Sequence, residues 1–157
     1  MKKIIFLMSV SLLISLMVHS QKITPDKVSA RVKQAFAEKF PGATNVRYEM
    51  EKKDYEINFK NKGVEMSANF DATGRWLETE TEIKVSALPK EVADSVERNF
   101  SGFKIFEVAK TETPEMGIFY EMILKKDSEL YEARFSPQGE MTKKTPLKTV
   151  KGKDDTY

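Results

Sequence analysis

The chain passes twice through the same order of structural signals, and this duplication restricts its fold more than any other feature. Residues 24–83 and residues 88–147 each contain a helical apolar stripe followed by four segments of alternating apolar and polar residues. From Tyr55 onward the two halves match at a constant offset, so that Phe70 corresponds to Phe135 and Gly74 to Gly139. The pattern predicts one helix and four strands, written twice.

Each helical segment opens on a proline, Pro25 or Pro89, a residue favoured in the first turn because its missing N–H is not needed there. Thr24 is expected to cap the first helix, and the second helix is expected to be about one turn shorter. The predicted core stripes are Val28, Val32, Phe36 and Phe40 in the first half, and Val92, Val96 and Phe100 in the second.

The strand segments alternate strictly, as where Tyr55, Ile57 and Phe59 are separated by Glu56 and Asn58. This period of two is typical of a sheet with one buried and one open face, and a helix is needed to cover the buried face. The sequence therefore predicts an α+β fold. We expect a tandem repeat of a helix plus a four-stranded antiparallel meander, forming one mostly antiparallel sheet with helices on one face.

The last hairpin of each half has a turn signature, with Asp71 or Ser136 at its start and Gly74 or Gly139 at its fourth position. These residues predict a three-residue loop with a left-handed glycine and a bulge.

The N-terminus has the composition of a secretory signal peptide. Lys2 and Lys3 precede an apolar run, as in a signal peptide. The alternative interpretation is a membrane anchor, but the run is shorter than the roughly 20 residues that a membrane-spanning helix needs. Cleavage after Ser20 would remove residues 1–20 and leave a secreted or periplasmic protein. Residues 21–147 are then the repeat domain, and residues 148–157 are expected to be a flexible tail.

Composition argues against most catalytic chemistry. The chain has no cysteine, and its single histidine, His19, lies in the predicted leader. Thiolate nucleophiles, Ser-His-Asp sites and zinc sites with nitrogen or sulfur ligands are therefore excluded. Once Lys2 and Lys3 are removed with the leader, the number of basic residues equals the 24 acidic residues. The chain then lacks the excess of positive charge that is typical of nucleic-acid-binding proteins. We expect no catalytic residues, metal, cofactor or nucleic acid, and no membrane association after cleavage.

The lack of cysteine and histidine does not exclude catalysis by carboxylate side chains. Glu78, Glu80 and Glu82 share one face of a predicted strand. A carboxylate enzyme also needs one carboxyl in an apolar pocket that raises its pKa, and this row offers none. The row favours a solvated strand face, with an enzyme and weak calcium binding as alternatives.

The open face of the sheet is the candidate binding surface. Trp76, the only tryptophan, is out of phase with Leu77 and is expected on that face at the centre of contact. Exposed clusters containing Trp, Met and Arg are typical of protein interfaces. The alternative is that a bulge shifts the alternation, or that the tail or a second molecule covers the face. The predicted partner-binding residues are Trp76, Arg47, Glu49, Glu56, Arg134, Ile123 and Met141.

Three motifs in order carry a family resemblance: Pro-x-x-Val at Pro25 and Pro89, Phe-Pro-Gly-Ala at residues 40–43, and the hairpin at residues 70–77. The chain resembles the PepSY-like, β-lactamase-inhibitor-like (BLIP-like) domains of exported bacterial proteins, although Ser101 replaces the proline in the second half. The resemblance implies a tandem repeat and a non-catalytic module that binds another protein, as an inhibitor or regulator of a hydrolase or protease. The alternative is a carrier of a small ligand or peptide in the cleft between the repeats. Neither reading fixes the partner or the oligomeric state.

Overall fold

The computed structural model describes residues 21–147. The predicted signal peptide, residues 1–20, and the predicted tail, residues 148–157, lie outside the described residues. The chain divides into two compact units at the boundary between Glu82 and Ile83. Each unit contains one α-helix and antiparallel strands, so the fold is α+β.

In the first unit each strand pairs antiparallel with the next along the chain. A short strand at its start, residues 21–23, was not predicted from the sequence. It pairs with the next strand, where Gln21 lies opposite Met50 and Ile23 opposite Tyr48. The elements of the first unit are β1 (Gln21–Ile23), α1 (Ala30–Lys39), β2 (Thr44–Glu51), β3 (Asp54–Asn61), β4 (Val64–Phe70) and β5 (Trp76–Glu82).

The second unit repeats the order of a helix followed by strands, and its four strands are again paired antiparallel in chain order. The first two of these strands are the longest in the described chain, at 10 residues each. The elements of the second unit are α2 (Lys90–Asn99), β6 (Lys104–Thr113), β7 (Gly117–Lys126), β8 (Glu129–Phe135) and β9 (Met141–Pro146).

The first helix begins later than the sequence predicted, whereas Pro89 lies at the start of the second helix as predicted. Pro25–Lys27 forms a separate 3-10 turn, and Val28 follows in an extended conformation that lets its side chain enter the core. Ser29, not Thr24, caps α1, because the Ser29 Oγ accepts a hydrogen bond from the Val32 N–H at 3.2 Å. The prediction of a shorter second helix was also wrong, since α1 and α2 each contain 10 residues.

Each helix packs its apolar stripe onto one face of its own sheet. In the first unit Phe36 of α1 lies edge-on to Phe59 of β3, with ring centroids 5.0 Å apart. In the second unit Phe100, just after α2, packs against Phe135 of β8. The predicted stripe residues are all buried, and these contacts fix which face of each sheet the helix covers. We call that surface the helix face and the opposite surface the far face.

The turn before the last strand of each unit touches the first turn of the helix. Gly74 and Gly139 have φ angles of +89° and +81°. A Cβ atom at Gly74 would lie 3.0 Å from the Arg31 carbonyl oxygen, and one at Gly139 would overlap the Glu91 carbonyl. The two turns also share their backbone hydrogen bonds, Gly74 to Asp71 and Gly139 to Ser136. This agrees with the turn type predicted from the sequence.

Asp71 makes the first of these turns sensitive to acid. The Thr73 hydroxyl, 2.6 Å from Asp71 Oδ1, and the Arg75 guanidinium, 3.0 Å from Oδ2, hold the pKa of Asp71 below its usual 3.8. A carboxyl with a lowered folded pKa adds stability at neutral pH, and that stability is lost as the pH falls below about 4. We therefore expect the stability difference between wild type and Asp71→Asn to be constant above about pH 5 and to shrink in acid. Urea unfolding from about pH 7 to pH 2 measures it.

Ser136→Ala is the matched control, because Ser136 holds the equivalent place in the second turn but does not titrate. Its stability difference should stay constant over the same pH range. A difference for Asp71→Asn that is equally constant would contradict the prediction.

Candidate functional site

The far face of the first unit carries three of the predicted contact residues, but they differ in accessibility. Arg47 is exposed, Glu49 is half-buried and Glu56 is only 5% exposed. Arg47 lies opposite Asn58, and Glu49 lies opposite Glu56. Glu56 also accepts a long hydrogen bond from the Asn58 amide, at 3.5 Å. Of the three, Arg47 is therefore the side chain most accessible to a partner.

In the second unit Arg134 of β8 is held by three neighbours on the far face. Its Nη2 and Nε donate to Glu121 Oε1 at 2.6 and 3.0 Å. Its guanidinium carbon lies 4.2 Å from the centroid of the Phe119 ring, and its Nη1 lies 3.5 Å from Met116 Sδ. We call these four residues the Arg134 stack. Because ion pairing and stacking both act on one guanidinium, the cation is fixed in place.

The carboxylate of this stack is well shielded from solvent. Glu121 is 5% exposed, and its second oxygen lies 3.4 Å from the Thr111 hydroxyl. A second ion pair lies across the neighbouring strands, where Lys143 Nζ is 2.6 Å from Glu132 Oε1. Ile123 lies on the far face as predicted, but it is buried opposite Glu132. The far face is therefore a packed, charge-paired surface in this unit, in contrast to the open surface that the sequence predicted.

The turn between β6 and β7 exposes apolar side chains that the sequence analysis missed. Met116 and Ile118 are 57% and 38% exposed, and Met116 belongs to the Arg134 stack. We call residues 114–118 the β6–β7 tip. The turn residues Pro114 and Gly117 flanking Met116 could have indicated an apolar side chain at the end of a hairpin.

Trp76 does not lie where the sequence predicted. Its side chain packs against the core of the first unit on the helix face, and Lys39 Nζ of α1 lies 3.5 Å from the centroid of the indole ring. Its indole N–H donates to the Thr79 hydroxyl at 2.9 Å. The cause is a bulge between Asn69 and Phe70 in the pairing of β4 with β5, which shifts the alternation by one residue.

Met141 was misplaced for the same reason. It lies next to the equivalent bulge between Arg134 and Phe135 and packs against the core of the second unit on the helix face. Both residues are half-buried, so neither centres an exposed far-face surface. Of the seven predicted contact residues, the structure places five on the far faces: Arg47, Glu49 and Glu56 in the first unit, and Ile123 and Arg134 in the second.

The glutamate row of β5 is placed as expected on the far face, where Glu78 lies opposite Asn69 and Glu80 opposite Ser67. A shallow cavity of about 200 Å³ is lined by Glu78, Asn69, Leu77, Glu51, Lys52 and Asp54. Within residues 21–147, no group of three or more metal-ligating side chains is close enough to hold an ion. No helix in this described part of the chain is long and apolar enough to span a bilayer.

Helix-covered antiparallel sheets with fixed charges on the reverse side define a class of small α+β modules. A family model described as "Putative beta-lactamase-inhibitor-like, PepSY-like" matches the chain twice, at residues 15–68 and 64–143. The chain belongs to this family. The two matches also suggest a tandem repeat.

Solved structures of similar fold include proteins from three Bacteroides species. A BLIP-like protein from Bacteroides fragilis is 24% identical, with a TM-score of 0.70 over 82% of this chain and 91% of that one. A Bacteroides eggerthii structure described as "putative periplasmic proteins" is 20% identical, with a TM-score of 0.71 over 76% and 88%. A DUF2874 family protein from Bacteroides uniformis is 20% identical, with a TM-score of 0.72 over 75% and 88%. At these identities the likeness shows the fold alone. Comparison with curated proteins returned no match.

Proposed function

We propose that this chain is an exported, non-catalytic binding module that contacts another protein through the β6–β7 tip and the Arg134 stack. The observation that carries the proposal is the exposure of Met116 beside a guanidinium that is already fixed. Ile118, at the same end of the hairpin, adds a second exposed apolar side chain. Apolar and arginine side chains in one patch are typical of the centre of protein interfaces. Because the Glu121 pair holds Arg134 in place, little side-chain entropy is lost when a partner docks.

The finer proposal is that the partner is a hydrolase or a protease and that the module inhibits or regulates it. The family description names β-lactamase-inhibitor-like proteins, and one relative of similar fold is called BLIP-like. Export rests on the signal-peptide pattern of residues 1–20, and a relative of similar fold is described as periplasmic. We infer that residues 24–83 and 88–147 are tandem repeats of a helix with a four-stranded meander. The equivalent turns at Gly74 and Gly139 support this inference.

The test is site-specific photo-crosslinking in a periplasmic extract of the native host. A photoreactive residue replaces Met116, and the adduct is identified by mass spectrometry. Val64 is the matched control position, because it is also an exposed apolar side chain beside a hairpin turn, but in the first unit. The proposal expects one protein to be captured from position 116 and not from position 64. Equal labelling from both positions would overturn it.

The captured protein then allows a quantitative test. We expect Met116→Ala and Ile118→Ala each to weaken binding by about tenfold or more, because interface anchors contribute energies of this order. Both side chains are exposed, so the melting temperature should change little. If the partner is an enzyme, its turnover with and without the module decides whether the module inhibits it. Binding that is unchanged in both variants would rule out the tip as the contact.

The remaining predicted contacts, Arg47, Glu49 and Glu56, stay predictions, as does the ligand- or peptide-carrier alternative. A carboxylate-based enzyme would lose turnover without losing its fold when Glu80 is changed to Gln.

A further inference from the structure

A second, basic surface lies at the opposite end of β6 and β7 from the tip. The strand ends form a cleft of about 390 Å³, lined by Gly102, Lys104, Ile105, Phe106, Lys125, Lys126 and Asp127. We call it the basic cleft. The register of β6 with β7 runs from Lys104 opposite Lys125 to Thr113 opposite Gly117, so about 25–30 Å of strand separates the cleft from the tip. The two surfaces are therefore distinct.

Phe106 is the extra residue of a β-bulge at this cleft. Ile105 lies opposite Leu124 and Glu107 opposite Ile123, so Phe106 has no partner on β7. Its side chain is 57% exposed. The first unit has a bulge at the corresponding place, between Thr44 and Arg47, but that segment contains Asn45 and Val46. A bulge at this position can therefore form without an exposed aromatic ring.

The charges around the bulge also differ between the two units. Lys104 lies directly opposite Lys125, and like charges at such cross-strand positions are destabilising. In the first unit the corresponding pair is Thr44 and Lys60, and Lys60 Nζ forms a salt bridge 2.8 Å from Glu65 Oε1.

The position of Glu65 is taken by Leu130 in the second unit, where Leu130 lies opposite Lys125. The salt bridges found within residues 21–147 include none from Lys104, Lys125 or Lys126. The second unit therefore brings several lysines together at this bulge. It lacks the threonine and the glutamate that reduce charge repulsion at the corresponding position of the first unit.

We propose that the basic cleft binds an acidic segment of a partner protein in which carboxylates flank an apolar side chain. The carboxylates pair with Lys104 and Lys125, and the apolar side chain packs on Phe106. An anion between the two lysines removes their repulsion, so the free protein carries a strain that binding relieves. The recessed shape of the site and the presence of Asp127 favour an inserted side chain over a flat anionic bilayer.

The test uses a fluorescent peptide with the blocked sequence Gly-Glu-Phe-Glu-Gly, and a matched peptide in which both glutamates are glutamines. The variants restore first-unit chemistry: Lys104→Thr and Leu130→Glu. Each should weaken binding of the acidic peptide by about tenfold or more. Each should also leave the melting temperature unchanged or raise it by about 1–2 °C, because the lysine repulsion is relieved. Phe106→Ser should weaken binding of both peptides, and Val64→Ser, at an exposed apolar position of the first unit, should leave it unchanged.

A variant that loses peptide binding without losing stability identifies a ligand site, whereas a residue that only supports the fold would lower the melting temperature. Equal binding of the acidic and glutamine peptides would overturn the proposal, as would undiminished binding by Lys104→Thr or no peptide binding at all. Co-sedimentation with phosphatidylglycerol vesicles in the absence of peptide binding would assign the cleft to a membrane surface instead. Dimerisation that is abolished by Lys104→Thr, again without peptide binding, would assign it to a second copy of the chain.

Discussion

Gly139→Ala is expected to lower the free energy of unfolding by about 3 kcal/mol or more. The alanine would have to adopt a φ of +81°, and its Cβ would overlap the backbone carbonyl of Glu91 in the first turn of α2. Backbone atoms on both sides of the contact cannot rotate away, so the turn and the helix must separate. Urea unfolding of the variant and the wild type, followed by circular dichroism, measures the loss.

Two further glycines provide graded controls. Gly63 has a similar φ of +82°, but nothing lies within 4 Å of a Cβ placed there, so Gly63→Ala should cost only about 1 kcal/mol. Gly74→Ala should fall between the two, because its Cβ would lie 3.0 Å from the Arg31 carbonyl oxygen. Equal losses at all three positions would show that positive φ alone sets the cost and that the helix contact contributes nothing.

Arg134→Ala is expected to destabilise the protein by about 3 kcal/mol, because it leaves the Glu121 carboxylate without its cation. Glu121 is 5% exposed, and its only other polar partner within the described residues is the Thr111 hydroxyl at 3.4 Å. The loss should be largely recovered in Arg134→Ala combined with Glu121→Gln, where the unpaired buried charge is absent. A double-mutant cycle by urea unfolding measures the coupling.

Lys90→Ala is the matched control for this prediction. The Lys90–Asp94 ion pair has the same separation, 2.6 Å, but both side chains are exposed on α2. Solvent and salt screen exposed pairs at this spacing, so only a small loss is expected. A loss in Arg134→Ala as small as that in Lys90→Ala would mean that solvent reaches Glu121 and that the far face is not closed around it.

Much of the fold followed from the sequence, because both helix stripes and strand alternation are local patterns. Val32 and Phe36 are buried on α1 and Ile57 and Phe59 on β3, as the spacing of apolar residues predicted. The turn at Gly74 was predictable for a different reason. A left-handed conformation leaves little choice of residue, so the glycine itself marks the position.

The candidate site was less predictable, because its features depend on pairing between strands. Trp76 and Met141 were assigned to the wrong face, since each lies next to a bulge that alternation along one strand cannot reveal. The burial of Glu121 could not be foreseen either. It depends on Arg134, 13 residues further along the chain, which reaches across from the neighbouring strand.

The contrast among the hairpin turns bears on how the protein can be engineered. The turns at Gly74 and Gly139 lie against the starts of their helices, so inserted residues there would push the helix from the sheet. The Lys62–Gly63 turn has free space around it and can accept an inserted epitope or reporter without disturbing the packing of α1. It is therefore the natural place to attach a label when the second unit must remain available for partners.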